Sequence, residues 1–72
     1  ESARKAVGLF PDYAPNQLAL SEGLLAAGDR VGSKAAAERG LTLAQAATAA
    51  GEPDAGEWVR DGKALLAGKR PP

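Results

Sequence analysis

Apolar residues recur at helical spacing in four stretches of the chain, and glycine and proline separate these stretches. The breaks fall at Pro11, Pro15, Gly28, Gly32, Gly51, Pro53 and Gly68. β-Branched residues are few and apolar and polar positions do not alternate, which disfavours strands. We therefore expect an all-α chain of about four helices, joined by short links so that neighbouring helices run antiparallel.

Start and stop signals define the predicted helices. They cover residues 2–9, 15–27, 31–50 and 54–67. Pro15 suits a first helical turn, where its missing N–H is not needed, and Gly28 is a natural stop. Val31 and the alanines after it are expected to form the thin apolar face of the third helix. Asp54 is expected to cap the fourth helix, with Glu57 three residues later in the capping-box position.

Small residues dominate the apolar content. The 72 residues include 17 alanines and nine leucines, with three valines and one each of Phe, Tyr and Trp. Apolar burial contributes about 25 cal/mol per Å², whereas ordering a chain of this length costs on the order of 100 kcal/mol. Alanine buries little area, so we expect a fragment of a longer array or a chain held by a partner.

Charge and missing residue types exclude several classes of function. Acidic and basic residues balance at nine each, which argues against nucleic acid as the main partner. Cysteine and histidine are absent, so no disulfide framework, metal site or cofactor is expected. No apolar run approaches the roughly 20 residues of a membrane span. The lack of cysteine fits the cytoplasm and the periplasm equally well.

Catalytic patterns are weak in this sequence. The segment from Gly28 to Lys34 faintly resembles a phosphate-binding loop, but that loop needs four residues between its glycines, lysine before the hydroxyl residue, and a preceding strand. Asp54 and Glu57 lie one turn apart and could support acid–base chemistry, but helix capping accounts for both of them. We therefore expect no enzymatic activity and no catalytic residues.

An ordered pattern of large and small residues begins at Ala14 and ends at Gly28. Between these two residues, Leu20, Ser21 and Leu24 lie at a leucine, a small-residue and a large-residue position. This order resembles the first helix and the turn of a tetratricopeptide repeat, which is a 34-residue pair of helices.

A second start at Ala55 supports the same resemblance. It places Trp58, Gly62 and Leu65 at the aromatic, small and large positions of the repeat's first helix. The two starts are 41 residues apart rather than 34, and the extra residues are expected to lengthen the third predicted helix by about two turns. Pro11 has the phase of the proline that closes a preceding repeat.

The resemblance implies one domain over residues 1–72, built as stacked antiparallel helical hairpins of a solenoid fragment. Residues 1–13 would end one repeat, and residues 14–51 would form a complete repeat with an extended second helix. Residues 52–68 would be the first helix of a following repeat or a capping helix, and residues 69–72 a tail. Open ends of such an array are expected to contact a protein partner or another copy of the chain.

The resemblance also implies a ligand groove lined by the first helix of each repeat. The residues expected there are Leu18, Glu22, Leu25, Val59, Arg60, Lys63 and Leu66. Apolar anchors with mixed charge suit a helical or extended peptide. Leu18 and Glu22 replace the lysine and asparagine with which the family's chaperone-tail binders hold a carboxylate. Packing of these leucines on a neighbouring repeat is the alternative.

The sequence therefore favours a non-catalytic, bacterial protein–protein interaction or scaffold module that binds a protein segment through its groove or its open ends. Two alternatives stay open. One is a small structural accessory subunit of a larger enzyme or membrane complex, and the other is the interaction tail of a multidomain enzyme. Trp58 is expected to pack between helices rather than form an exposed binding hot spot.

Overall fold

The computed structural model describes residues 13–69, and this part of the chain consists of three helices without strands. Helix α1 is Ala14–Ala26, α2 is Arg30–Ala49 and α3 is Ala55–Leu66. The all-α prediction is confirmed, and each helix begins and ends within one residue of its predicted bounds. The predicted helix over residues 2–9 lies outside the described residues.

Each of the three helices is followed, two residues after its last residue, by a glycine in the left-handed region of backbone space. Gly28, Gly51 and Gly68 have φ angles of 87°, 85° and 76°. The N–H of Gly28 donates to the Leu25 carbonyl at 3.1 Å, and the amide of the next residue also donates back to the last turn. The ends of α2 and α3 repeat this pattern. Glycine adopts this conformation without a steric penalty, so the predicted helix stops are confirmed.

The capping interactions at the helix starts agree less closely with the prediction than the glycine stops do. Pro15 lies in the first turn of α1, as expected. Asp29 caps α2, because its Oδ1 accepts a hydrogen bond from the Gly32 N–H at 2.9 Å. Asp54 is the N-cap residue of α3 but makes no side-chain cap hydrogen bond. The predicted capping box with Glu57 is wrong, because the Asp54 backbone is helical (φ −95°, ψ 0°) and not in the extended conformation of a capping residue.

The long helix α2 packs against both α1 and α3, and α1 also contacts α3. Since short links reverse the chain direction twice, α1 and α3 run roughly parallel to each other and antiparallel to α2. The core contains Leu18, Ala37 and Leu65, one residue from each helix. The half-buried side chains packed against this core are those of Leu25, Trp58 and Leu66.

Val31 and Ala35 do not lie on the buried face of α2, and this part of the prediction is wrong. The Val31 side chain is 84% exposed, and Ala35 is exposed as well. The buried residues of α2 follow one side of the helix, from Ser33 through Ala37 and Gly40 to Ala44. At 100° per residue, Val31 falls on the opposite side.

Small residues allow α2 to approach both neighbours closely. A Cβ atom on Gly40 would lie 2.7 Å from Leu18 Cδ2, and one on Gly62 would lie 3.2 Å from Leu41 Cβ. Most of the buried residues are therefore small, namely alanine, serine and glycine, although Leu18 and Leu65 are buried too. Helices that pack in this way bury little apolar area per residue.

Ser21 and Ser33 join α1 to α2 through buried hydrogen bonds. Ser21 Oγ donates to the Ser33 carbonyl at 2.8 Å and lies 3.0 Å from Ser33 Oγ. A hydroxyl group has one hydrogen, and the Ser21 hydroxyl donates its hydrogen to the Ser33 carbonyl oxygen. Ser33 Oγ must therefore donate to Ser21 Oγ, which makes the two side chains interdependent.

This interdependence predicts a non-additive mutant cycle. We expect Ser21→Ala to lower the free energy of unfolding by about 1–2 kcal/mol, because the buried Ser33 hydroxyl loses its acceptor. The double variant Ser21→Ala/Ser33→Ala should cost less than the sum of the two single variants, since no buried hydroxyl is left without a partner. Urea unfolding of the four proteins measures the coupling, and strictly additive costs would contradict the pair described above.

Candidate functional site

The described residues form a cleft between α1 and α3, and a second cleft adjoins it where the end of α1, the start of α2 and the end of α3 meet. The larger, the α1–α3 cleft, has a volume of about 380 Å³ and is lined by Pro15, Leu18, Ala19, Glu22, Glu57, Trp58, Asp61 and Leu65. The smaller, the end cleft, has a volume of about 190 Å³ and is lined by Leu25, Arg30, Ser33, Lys34, Leu65, Leu66, Ala67 and Gly68. Leu65 lies on the wall of both clefts, so they adjoin at this residue.

The floor of the α1–α3 cleft is apolar and continuous with the core. Leu18 and Leu65 are 6% and 2% exposed, and the half-buried Trp58 packs against them. Tyr13, immediately before α1, meets the Trp58 ring edge to face, with centroids 5.9 Å apart and ring planes at 74°. Trp58 packs against the core as predicted, but its side chain is only half-buried and also forms part of the cleft wall.

The two clefts carry opposite charges. Glu22, Glu57 and Asp61 line the α1–α3 cleft, and none of its described lining residues is basic. Arg30 and Lys34 line the end cleft, whose described lining residues include no acid. Although the whole chain has zero net charge, charges of opposite sign line the two clefts. A cleft of one sign raises the local concentration of ligands of the opposite sign.

The structure distributes the seven predicted groove residues over three places. Leu18 and Glu22 line the α1–α3 cleft, and Leu25 and Leu66 line the end cleft. The remaining three lie on α3 outside both clefts, namely the half-buried Val59 and the exposed Arg60 and Lys63.

None of the four cleft residues on α3 was among the predicted groove residues. They are Glu57, Trp58, Asp61 and Leu65. Their spacing of three and four residues places Trp58, Asp61 and Leu65 on one face of the helix. The face of α3 that contains Trp58 could therefore have identified these cleft residues from the sequence. The side of α3 that packs on the core also borders α1.

The described residues give no sign of a metal centre or of a membrane span. Within residues 13–69, no group of three or more acidic residues is placed so that it could hold a metal ion. None of the three helices in that range is long and apolar enough to cross a bilayer. No family model matches the chain, and no curated protein or solved structure was found to be similar to it.

Proposed function

We propose that the chain is a non-catalytic, tetratricopeptide-like interaction module that binds a protein segment in the α1–α3 cleft. The observation that carries this proposal is the cleft itself, a trough with an apolar floor and charged walls between two parallel helices. Such a trough provides what an extended or helical peptide needs, namely apolar pockets for anchoring side chains and polar groups at the rim.

The placement of small residues supports the repeat arrangement. Helices α1 and α3 begin at Ala14 and Ala55, the two predicted repeat starts, and these residues are 3% and 0% exposed. The equivalent small residues Ser21 and Gly62 are both buried where their helices contact α2. Helix α2 has 20 residues and α1 has 13, which fits a repeat whose second helix is lengthened.

The small core supports a role that depends on contacts with other proteins. Seven apolar residues of the described part are buried, and five of them are alanines, the other two being Leu18 and Leu65. A core of this size provides little stability on its own, and repeat arrays gain theirs from the contacts between neighbouring units. Further repeats, a second copy or a partner protein would supply that burial.

The test blocks the cleft without changing the core. Ala19 is exposed and lines the α1–α3 cleft, whereas Ala46 is exposed on α2 outside both clefts. A tyrosine at position 19 should occupy the cleft and weaken partner binding about tenfold or more, which corresponds to about 1.4 kcal/mol. The matched variant Ala46→Tyr should bind as the unchanged chain does, because helix propensity changes equally in both variants.

The measurement is quantitative mass spectrometry of proteins that co-purify with the tagged full-length protein and with each variant. Thermal unfolding of the same samples checks that both variants fold. A partner that binds all three proteins equally would contradict the cleft as the binding site and favour the structural clamp alternative. A high-melting monomer that captures no protein would contradict the interaction module.

A further inference from the structure

We infer that the α1–α3 cleft selects a peptide segment that presents a basic side chain, arginine or lysine, beside an aliphatic one. This inference rests on the proposed function and specifies the chemistry of its ligand. It follows from three features of the cleft: the charge of its walls, its aromatic side chain and its apolar floor.

Charge complementarity is the first argument. Glu22 and Asp61 are half-buried and Glu57 is exposed, so the cleft combines carboxylates at its rim with carboxylates partly withdrawn from solvent. Salt screens partly buried charges less than exposed ones. A guanidinium or ammonium group therefore gains attraction inside the cleft, while a carboxylate of an acidic segment would be repelled by Glu57 and Asp61.

The aromatic side chain provides an independent argument for a cation. Trp58 lines the same cleft and is half-buried, with Tyr13 beside it. The face of an indole ring attracts a cation that lies within about 6 Å of the ring centre, and tryptophan does so more strongly than tyrosine or phenylalanine. Arginine adds stacking of its planar guanidinium on such a ring.

The floor accounts for the aliphatic part of the ligand. Leu18 and Leu65 line the cleft as buried residues and Ala19 is exposed there, so the aliphatic stem of arginine or lysine can pack against this apolar lining. A neighbouring aliphatic residue of the segment would cover the remainder. The end cleft has the opposite sign, with Arg30 and Lys34 on its walls, and would repel the same basic side chain.

Trp58 is the only tryptophan of the chain, so its fluorescence reports directly on the cleft. The probes are four capped peptides, Gly-Ser-Leu-Xaa-Ala-Leu-Ser-Gly, in which Xaa is arginine, lysine, citrulline or glutamate. Citrulline has the shape of arginine without its charge. We expect the arginine and lysine peptides to bind the full-length protein about tenfold more tightly than the citrulline peptide. The glutamate peptide should bind most weakly, and added NaCl should narrow these differences.

A paired variant identifies the carboxylates responsible. Glu57→Gln/Asp61→Asn keeps the shape of the cleft and removes two of its charges. This protein should lose most of the preference for arginine over citrulline. The control Glu38→Gln/Glu52→Gln removes two exposed carboxylates outside both clefts and should retain the preference. Circular dichroism of both proteins checks that the helices are intact.

Each other outcome contradicts a different statement. Equal binding of the arginine and citrulline peptides, or tighter binding of the glutamate peptide, would overturn the inference and leave the proposed function standing. Failure of all four peptides to bind would count against the proposed function too.

A Trp58 emission change on concentrating the protein alone would place a second copy in the cleft. A change caused by Arg4→Gln/Lys5→Gln would place residues 1–12 there, and either result overturns the inference.

Discussion

Leu65→Ala is expected to lower the free energy of unfolding by about 3 kcal/mol, within the range that buried leucine-to-alanine changes show. Leu65 is 2% exposed, belongs to the core cluster and lies on the walls of both clefts. The loss is large relative to the total, since a chain of this length is stabilised by roughly 4–11 kcal/mol at about 0.05–0.15 kcal/mol per residue.

The surroundings of Leu65 explain why the loss should not be small. A cavity is reduced when large flexible side chains move into it, and its residual volume sets much of the cost. The other members of the core cluster are Leu18 and Ala37, and Leu18 already lies against Gly40 of α2. Few side chains are therefore available to fill the space that Leu65 leaves.

Urea unfolding followed by circular dichroism measures this prediction. Val31→Ala is the matched control, because Val31 is 84% exposed and its truncation should change stability by less than about 0.5 kcal/mol. A loss below about 1 kcal/mol in Leu65→Ala would contradict the placement of this side chain in the core.

The helix ends could be predicted from the sequence because they depend on local interactions. A glycine in the left-handed conformation is sufficient to end a helix, and Gly28, Gly51 and Gly68 each do so. Pro15 similarly fits a first turn whatever the helix packs against. The predicted side-chain cap at Asp54 does not form, and the reason is equally local. It is the conformation of the Asp54 backbone, which residue type does not determine.

The faces of the helices could be predicted less well, because alanine-rich helices have no strong apolar side. In α1, Leu18 and Leu25 lie on one side of the helix while Leu20 and Leu24 lie on the other. The pattern alone does not determine which pair faces the core. The structure buries Leu18 and leaves the other three half-buried, a choice that depends on the close approach of α2.

The cleft depends on the same tertiary information. Leu18 and Glu22, two of the predicted groove residues, line the α1–α3 cleft. The α3 residues that line it are Glu57, Trp58, Asp61 and Leu65, whereas Arg60 and Lys63 lie outside it. The rotation of α3 about its axis decides which set faces α1. That rotation follows from packing against α2, which places Gly62 against Leu41.

Gly62→Val is expected to lower the free energy of unfolding by about 2 kcal/mol, because it separates α3 from α2. A Cβ on Gly62 would lie 3.2 Å from Leu41 Cβ and 3.4 Å from Leu41 Cα. The backbone of α2 cannot rotate away as a flexible side chain can, so the added methyl groups must push the helices apart. For Gly62→Ala the gain in helix propensity, about 1 kcal/mol, should offset much of the single close contact.

Gly23→Val provides the matched control for this prediction. Gly23 also lies within a helix, but a Cβ there would meet nothing within 4 Å. The control should be neutral or slightly stabilising, because valine has a higher helix propensity than glycine.

Separation of α3 from α2 should also shift Trp58, so its fluorescence should change in Gly62→Val and not in Gly23→Val. Equal stabilities of the two variants would show that α2 and α3 do not pack through Gly62, and the position of Trp58 against the core would then lose its structural basis.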